Sequence, residues 1–246
     1  MPDKPFPKTS WSLIARAGGP AMSDKRDALK VLCEAYWFPV YAFIRRRTGA
    51  AEEARDLTQG FFAYLLEKNA LATVDPTRGA KFRSWLLGCV KHYLKAEHKK
   101  EHARKRHSGQ PLESLDAAAA EGRYQAEASD HLAPESLYAR HFALSLLERV
   151  VERLRAKYAA AGKEALFEAL KGNLAQDAGL RTHEETATAL GMTTGAVKKA
   201  AFDLRARYKK ELRAEVASLV DGRPDDQDAE AQVTEELRQL LGALAE

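Results

Sequence analysis

Seven cations crowd one short stretch of this 246-residue chain: Lys198, Lys199, Arg205, Arg207, Lys209, Lys210 and Arg213, against two acids, Asp203 and Glu211. A second stretch, residues 81–107, holds nine Lys or Arg and two acids, interleaved with Trp85, Tyr93, His92, His98, His102 and His107. Neither set is built for covalent chemistry. Clustered cations neutralise phosphates, and aromatic rings set among them stack on unpaired bases. The first stretch therefore suits duplex nucleic acid and the second a single strand. The net charge of +4 conceals how basic the body is. Residues 221–246 carry eight acids and two bases, −6, so residues 1–220 carry 4 − (−6) = +10. A basic body of this kind calls for an anionic partner.

Other chemistries find little support. Cys33 and Cys89 fall inside apolar helical patterns and read as reduced, buried thiols. His98 and His102 are four apart, but no acidic or cysteine ligand accompanies them, and no metal or other cofactor is expected. "HEET" at His183 is not a zinc-protease signature, because Ala187 stands where the second histidine belongs. No carboxylate cluster has metal spacing, so an enzyme is not expected. The N-terminal "MPDKPFPKTSWSLIARAGG" lacks a signal-like apolar run, and no segment is apolar enough to span a membrane. The expected location is cytoplasmic.

The elements that must position these residues are helices. Apolar residues are 45% of the chain, and they recur at three and four residues rather than two, which predicts an all-α fold. A first helix follows Ser10. A second runs from about Ser23 to Arg47, bent or broken at Pro39. A third covers about Ala51 to Lys68, and "DPTRGAKF" is a loop before a long helix from Ser84. Residues 107–134 lose the period and collect Gly, Pro, Ser and Ala, the composition of a linker with room for a short helical piece. Pro134 opens a long amphipathic helix, and "KEALFEALKG" is a shorter one. Two helical domains follow from this, residues 10–106 and 135–218, joined by the linker 107–134. An acidic extension, 219–246, ends in a short amphipathic helix.

In the second domain, "HEETATALGMTTGAVKKAAFDLRARYKKEL" has helix-turn-helix spacing. Ala187 is small enough for two helices to approach. Leu190, Met192 and Val197 are placed for a shared core, Gly191 supplies the turn, and Thr193 or Thr194 caps the next helix. The first turn of that helix brings Thr194, Gly195, Lys198 and Lys199 to the major groove, with Arg205 and the distal bases on phosphates. In the first domain, "ARDLTQGFFAYLLEK" has an apolar stripe of Ala54, Leu57, Phe61 and Leu65. Its other face carries Glu52, Asp56 and Gln59, with Gly60 at the edge, although glycine costs about 1 kcal/mol against alanine in a helix.

Three of these stretches, in this order, resemble a bacterial RNA polymerase sigma factor of the sigma-70 family, extracytoplasmic-function (group IV) type. "EEARDLTQGFFAYLLE" is similar to the helix that binds the polymerase core, whose usual pattern is Asp-Leu-x-Gln-Glu/Asp-x-Phe. "KFRSWLLGCVKHYLKAEHKK" resembles the helices that melt and read the −10 element, and His183 to Leu212 resembles the helix-turn-helix that reads the −35 element. The resemblance covers roughly residues 10–218. It implies core-polymerase contacts at Asp56 and Gln59 and a pocket for a flipped −10 base near Lys91, His92, Tyr93 and Lys95, with Lys99 beside them. It also implies −35 contacts at Thr194, Gly195, Lys198, Lys199 and Arg205. Gly60 replaces the usual acidic residue, Thr186 a large apolar one, and His92 the usual asparagine.

The implied partners are the polymerase core and promoter DNA, with an anti-sigma or other regulatory protein as a further candidate and no membrane. The alternative is a helix-turn-helix transcription regulator that does not recruit core polymerase. On this reading Gly60→Glu restores a charge and strengthens core association, or a phosphate on Thr58 supplies it. The C-terminal helix is too short to stand alone. It is expected to dock, either on a partner protein or the polymerase or, as the favoured arrangement, on the −35 domain, with Asp225, Asp226 and Asp228 covering the bases of the −35 helix.

Overall fold

The computed structural model describes residues 22–74, 81–103, 117–127, 132–174, 182–219 and 227–245. Among them there is no strand, and the all-α expectation holds. The helices are α1 (Met22–Thr48), α2 (Ala51–Glu67), α3 (Phe82–Ala103), α4 (Ala117–Glu127), α5 (Pro134–Ala160), α6 (Glu164–Leu170), α7 (His183–Leu190), α8 (Thr194–Leu219) and α9 (Gln227–Ala245). Short 3-10 turns at Ala70–Thr73 and Lys171–Leu174 follow α2 and α6. The helix expected after Ser10, the "DPTRGA" loop and the acidic spacer 220–226 lie outside the described residues.

Two compact units form. One comprises residues 146–216; the other holds the described residues up to Ser145 together with 217–245. This division falls within α5 and not in the stretch 107–134 read as a linker. Part of that stretch is helical and has a binding face. In α4, Glu121 accepts hydrogen bonds from Tyr41 and, in a fork, from Arg45 Nε and Nη2 at 3.0 Å each. Arg123 lies 4.2 Å over the Phe38 ring, and Ala120 and Tyr124 are buried. The sequence of α4 has little apolar period, and the charge pairing that joins Ala120 and Tyr124 in docking it is invisible to hydrophobic periodicity.

Helix α1 carries the core of the larger unit. Tyr36 through Phe38 and Val40 through Ile44 are all buried, so this stretch is surrounded by protein on every side. That explains how Pro39 fits within a helix that runs unbroken from Met22 to Thr48. Of the two outcomes expected at Pro39, a bend or a break, the break does not occur, because packing on all faces outweighs the lost hydrogen bond. Tyr36 stacks on Phe142 of α5 at 5.3 Å and meets Phe82 of α3 edge-on at 5.3 Å, while Trp37 stacks on Phe62 of α2 at 5.6 Å.

The smaller unit closes on Leu146, Val150, Leu154, Phe167, Leu170, Val197, Ala201, Leu204 and Val216. Glu215 of α8 is buried and pairs with Arg153 of α5 at 2.6 Å and Arg149 at 3.5 Å. Glu211 pairs with Lys157 at 2.5 Å. That hydrogen bond, against some burial, holds the Glu211 carboxyl below the usual range.

Candidate nucleic-acid interface

Helix α2 buries Ala54, Thr58, Phe61, Phe62 and Leu65; of the expected stripe Leu57 is only half-buried, and Thr58 takes a buried place that the apolar period does not give it. The Thr58 hydroxyl is fully buried and donates to the Ala54 carbonyl at 2.6 Å. This corrects the reading of Thr58 as a phosphate acceptor, since a dianion has no room there. Asp56 is open to solvent, its side chain 70% exposed, with Arg55 at 3.5 Å. Gln59 is half-buried one turn on.

Gly60 is not a vacancy on the polar face. A Cβ built there would lie 2.3 Å from the Tyr93 hydroxyl oxygen and 3.5 Å from Cζ. The glycine lets the Tyr93 ring lie across α2, where it meets Phe61 at 5.8 Å and Tyr64 at 5.6 Å between centroids. A glutamate at Gly60, expected to strengthen core association, must therefore first displace Tyr93. Burial, with the charge of Glu97 second, pushes the Tyr93 hydroxyl up to about 12.

On α3 the buried seam runs Phe82, Leu86 and Val90, and Tyr93 and Glu97 continue it half-buried. Lys91, His92, Lys95 and Lys99 stand exposed on the open side. Lys91, Lys95 and Lys99 are four apart and share one face, with Lys91 also 2.8 Å from Glu135. Tyr93 sits about half a turn away from Lys95 by helical geometry. The structure thus groups the predicted cations and separates the tyrosine from them.

In the smaller unit, α7 opens with a capping box missed in the sequence reading. Thr182 Oγ accepts from the Glu185 amide at 3.2 Å, and Glu185 accepts from the Thr182 amide at 2.8 Å. Gly191 has φ 62°. The Met192 amide donates to the Ala187 carbonyl at 2.9 Å and the Gly191 amide to Thr188 at 3.4 Å, the closure that a left-handed residue permits. Thr193, not Thr194, caps α8, accepting from the Ala196 amide at 3.2 Å. Ala187 and Val197 are buried, Leu190 and Met192 half-buried.

Helix α8 turns Val197, Ala201 and Leu204 inward. Gly195, Lys198, Lys199, Arg205, Lys209 and Lys210 are exposed, and Thr194 is half-buried at the start. Lys199 has Asp203 at 3.7 Å, and Arg205 Nε donates to the Asn173 carbonyl at 3.3 Å. Phe202, 70% exposed, stands four residues after Lys198 and three before Arg205. Sequence reasoning passed over it, although a large apolar residue between cations was the available signal. Arg149 and Arg153 were also missed: their role is to satisfy Glu215, a pairing between distant positions that no local pattern announces.

The two thiols are half-buried and not bonded to each other. Burial pushes Cys33 up to about 12 and Cys89 to about 11. Among the described residues no His, Cys, Asp and Glu group is placed to hold a metal, and no helix is long and apolar enough to cross a membrane.

Residues 32–104 match the family model of Sigma-70 region 2. The matched span takes in most of α1 and all of α2 and α3. The match makes this stretch, 73 of the 246 residues, similar to region 2 of sigma-70 proteins. Comparisons with curated proteins and with solved structures give no match.

Proposed function

We propose that this chain is a sigma factor of the extracytoplasmic-function type, which directs bacterial core polymerase to specific promoters. The observation that carries the proposal is the Sigma-70 region 2 match, which falls on α1 to α3 and so on both the exposed acid of α2 and the cationic face of α3. Asp56 and Gln59 contact the core. Lys91, His92, Lys95 and Lys99 track the melted −10 strand. Tyr93 shapes that surface from behind by seating α3 on α2. Extruding a base costs a few kcal/mol, which the contacts of these cations and His92 offset.

The pair α7 and α8 reads the −35 duplex. Thr194, Gly195, Lys198 and Lys199 enter the major groove, and Arg205 and the later bases meet phosphates. Phe202 suits a thymine methyl, the apolar feature of that groove. The pairing of Glu211 and Glu215 with α5 supports this reading, since it keeps two acids of α8 away from its cationic face.

Run-off transcription with bacterial core polymerase on a promoter library tests the proposal. Chain-dependent transcripts with discrete start sites are expected. A chain that binds duplex DNA through α8 but fails to retain core polymerase in a pull-down is a regulator of the other kind, and the proposal falls.

A further inference from the structure

The first residues of α3 meet the C-terminal helix. In α9, Glu236 is buried, its side chain 3% exposed. Its carboxylate lies 2.5 Å from Lys81 Nζ and also pairs with Arg83 Nη1. Gln239 accepts from Lys81 at 2.5 Å and from Arg83 Nη2 at 3.1 Å. Behind the two cations lie Tyr36, Phe82 and Phe142, and the Arg83 guanidinium stands 5.8 Å over the Phe142 ring. Within the larger unit this acidic helix thus docks on the start of α3; the expected cover of the −35 helix by Asp225, Asp226 and the Asp228 side chain lies outside the described residues.

Lys81, just before α3, and Arg83, in its first turn, precede Lys91, Lys95 and Lys99 of the helix that the proposed function assigns to the −10 strand, so the inference rests on that reading. A carboxylate held by one lysine and one arginine against aromatic rings occupies the place of a phosphate: both are compact anions, and Arg and Lys bind both. The hold on α9 is narrow. Its buried aliphatics are Val233 and Leu240, with Leu241 53% exposed, and Arg140 donates to the Leu244 carbonyl at 3.1 Å. Buried ion pairs of this kind favour specificity over strength, because desolvation offsets the attraction.

We propose that Lys81 and Arg83 form a nucleic-acid backbone site that α9 covers, with Glu236 standing where a phosphate binds. Undocking α9 lengthens the cationic track of α3 by two positions.

The test uses the full chain and a labelled single-stranded DNA pool of random sequence, because phosphate contacts need no promoter. Val233→Ser with Leu240→Ser undocks α9 and leaves every charge in place. Two freed phosphate contacts steepen the slope of log K against log salt by about 1.4, so the gain in affinity shrinks about sevenfold between roughly 50 and 200 mM salt. Adding Lys81→Gln and Arg83→Gln abolishes the gain. Glu236→Gln, which keeps the helix and an amide in place, gives a smaller gain of the same slope and serves if the serine pair perturbs folding. Unchanged affinity and slope in both variants, or a gain that survives loss of Lys81 and Arg83, overturns the proposal while leaving run-off transcription intact. Failure of transcription with the slope change present overturns the promoter reading instead.

Discussion

The contact between Gly60 and Tyr93 predicts a reversal of sign. In a solvent-exposed helix, Gly→Ala stabilises by up to about 1 kcal/mol. Here the new Cβ lies 2.3 Å from the Tyr93 hydroxyl oxygen, well inside contact distance. The ring must tilt out of its place against Phe61 and Tyr64, and overpacking of this kind costs about 1–3 kcal/mol. Gly60→Ala is therefore expected to be destabilising by about 0–2 kcal/mol in the natural background, the clash less the propensity. Tyr93→Phe removes the colliding oxygen and leaves Cζ at 3.5 Å, an ordinary contact. In that background Gly60→Ala regains its stabilising sign. The coupling across the cycle is about 1–3 kcal/mol. All three tryptophans precede residue 146, so urea unfolding followed by tryptophan emission reports on the larger unit. Additive effects, or an alanine that stabilises the natural background, refute the reasoning.

Three further outcomes follow from the charges. Lys198→Ala and Lys199→Ala should each weaken duplex binding and flatten the salt slope by about 0.9 in electrophoretic titrations, leaving core association unchanged. Asp56→Ala should reduce retention on core polymerase without altering the melting temperature, since the side chain is 70% exposed and structurally idle. The Glu121 carboxyl is held below its usual range, chiefly by the Arg45 hydrogen bond. A depressed pKa means stability present above the unfolded value near 4.5 and lost as pH falls below it. Hydrogen exchange in α4 should accelerate as pH drops through that window once corrected for intrinsic rates. Glu121→Gln should remove the dependence at a cost of about 1.5–3 kcal/mol, the worth of a charged hydrogen bond.

The helices were legible because their signals are local. Apolar spacing predicts a helix over about Ala51 to Lys68, and α2 covers Ala51–Glu67; Pro134 marks the start of α5, and Gly191 a turn that needs a left-handed residue. What escaped the sequence is pairing across distance. Nothing near Glu121 indicates Arg45, and nothing near Glu236 indicates Lys81, so the sequence leaves α4 as a short helical piece in a linker and gives no sign that α9 meets the start of α3. Gly60 shows the same limit. Its type was conspicuous, but the cause sits 33 positions later at Tyr93, and only the packing of α3 on α2 brings the two together. The exposed cations of α3 and α8 were legible because solvated charge needs no partner.

The apolar girth of α1 also bears on synthesis. Residues 36–44 emerge from the ribosome early, yet Tyr36 and Phe38 are completed by Phe142 and His141, and Phe43 by Tyr138. At about 5–20 residues per second, roughly 100 intervening residues leave this sticky cylinder without its last cover for about 5–20 s. A gene fragment ending near residue 106 makes that interval permanent, with three aromatic faces stripped of their lids. Such a fragment should precipitate or recruit chaperones, whereas one ending at Ser145 carries Tyr138, His141 and Phe142 with it.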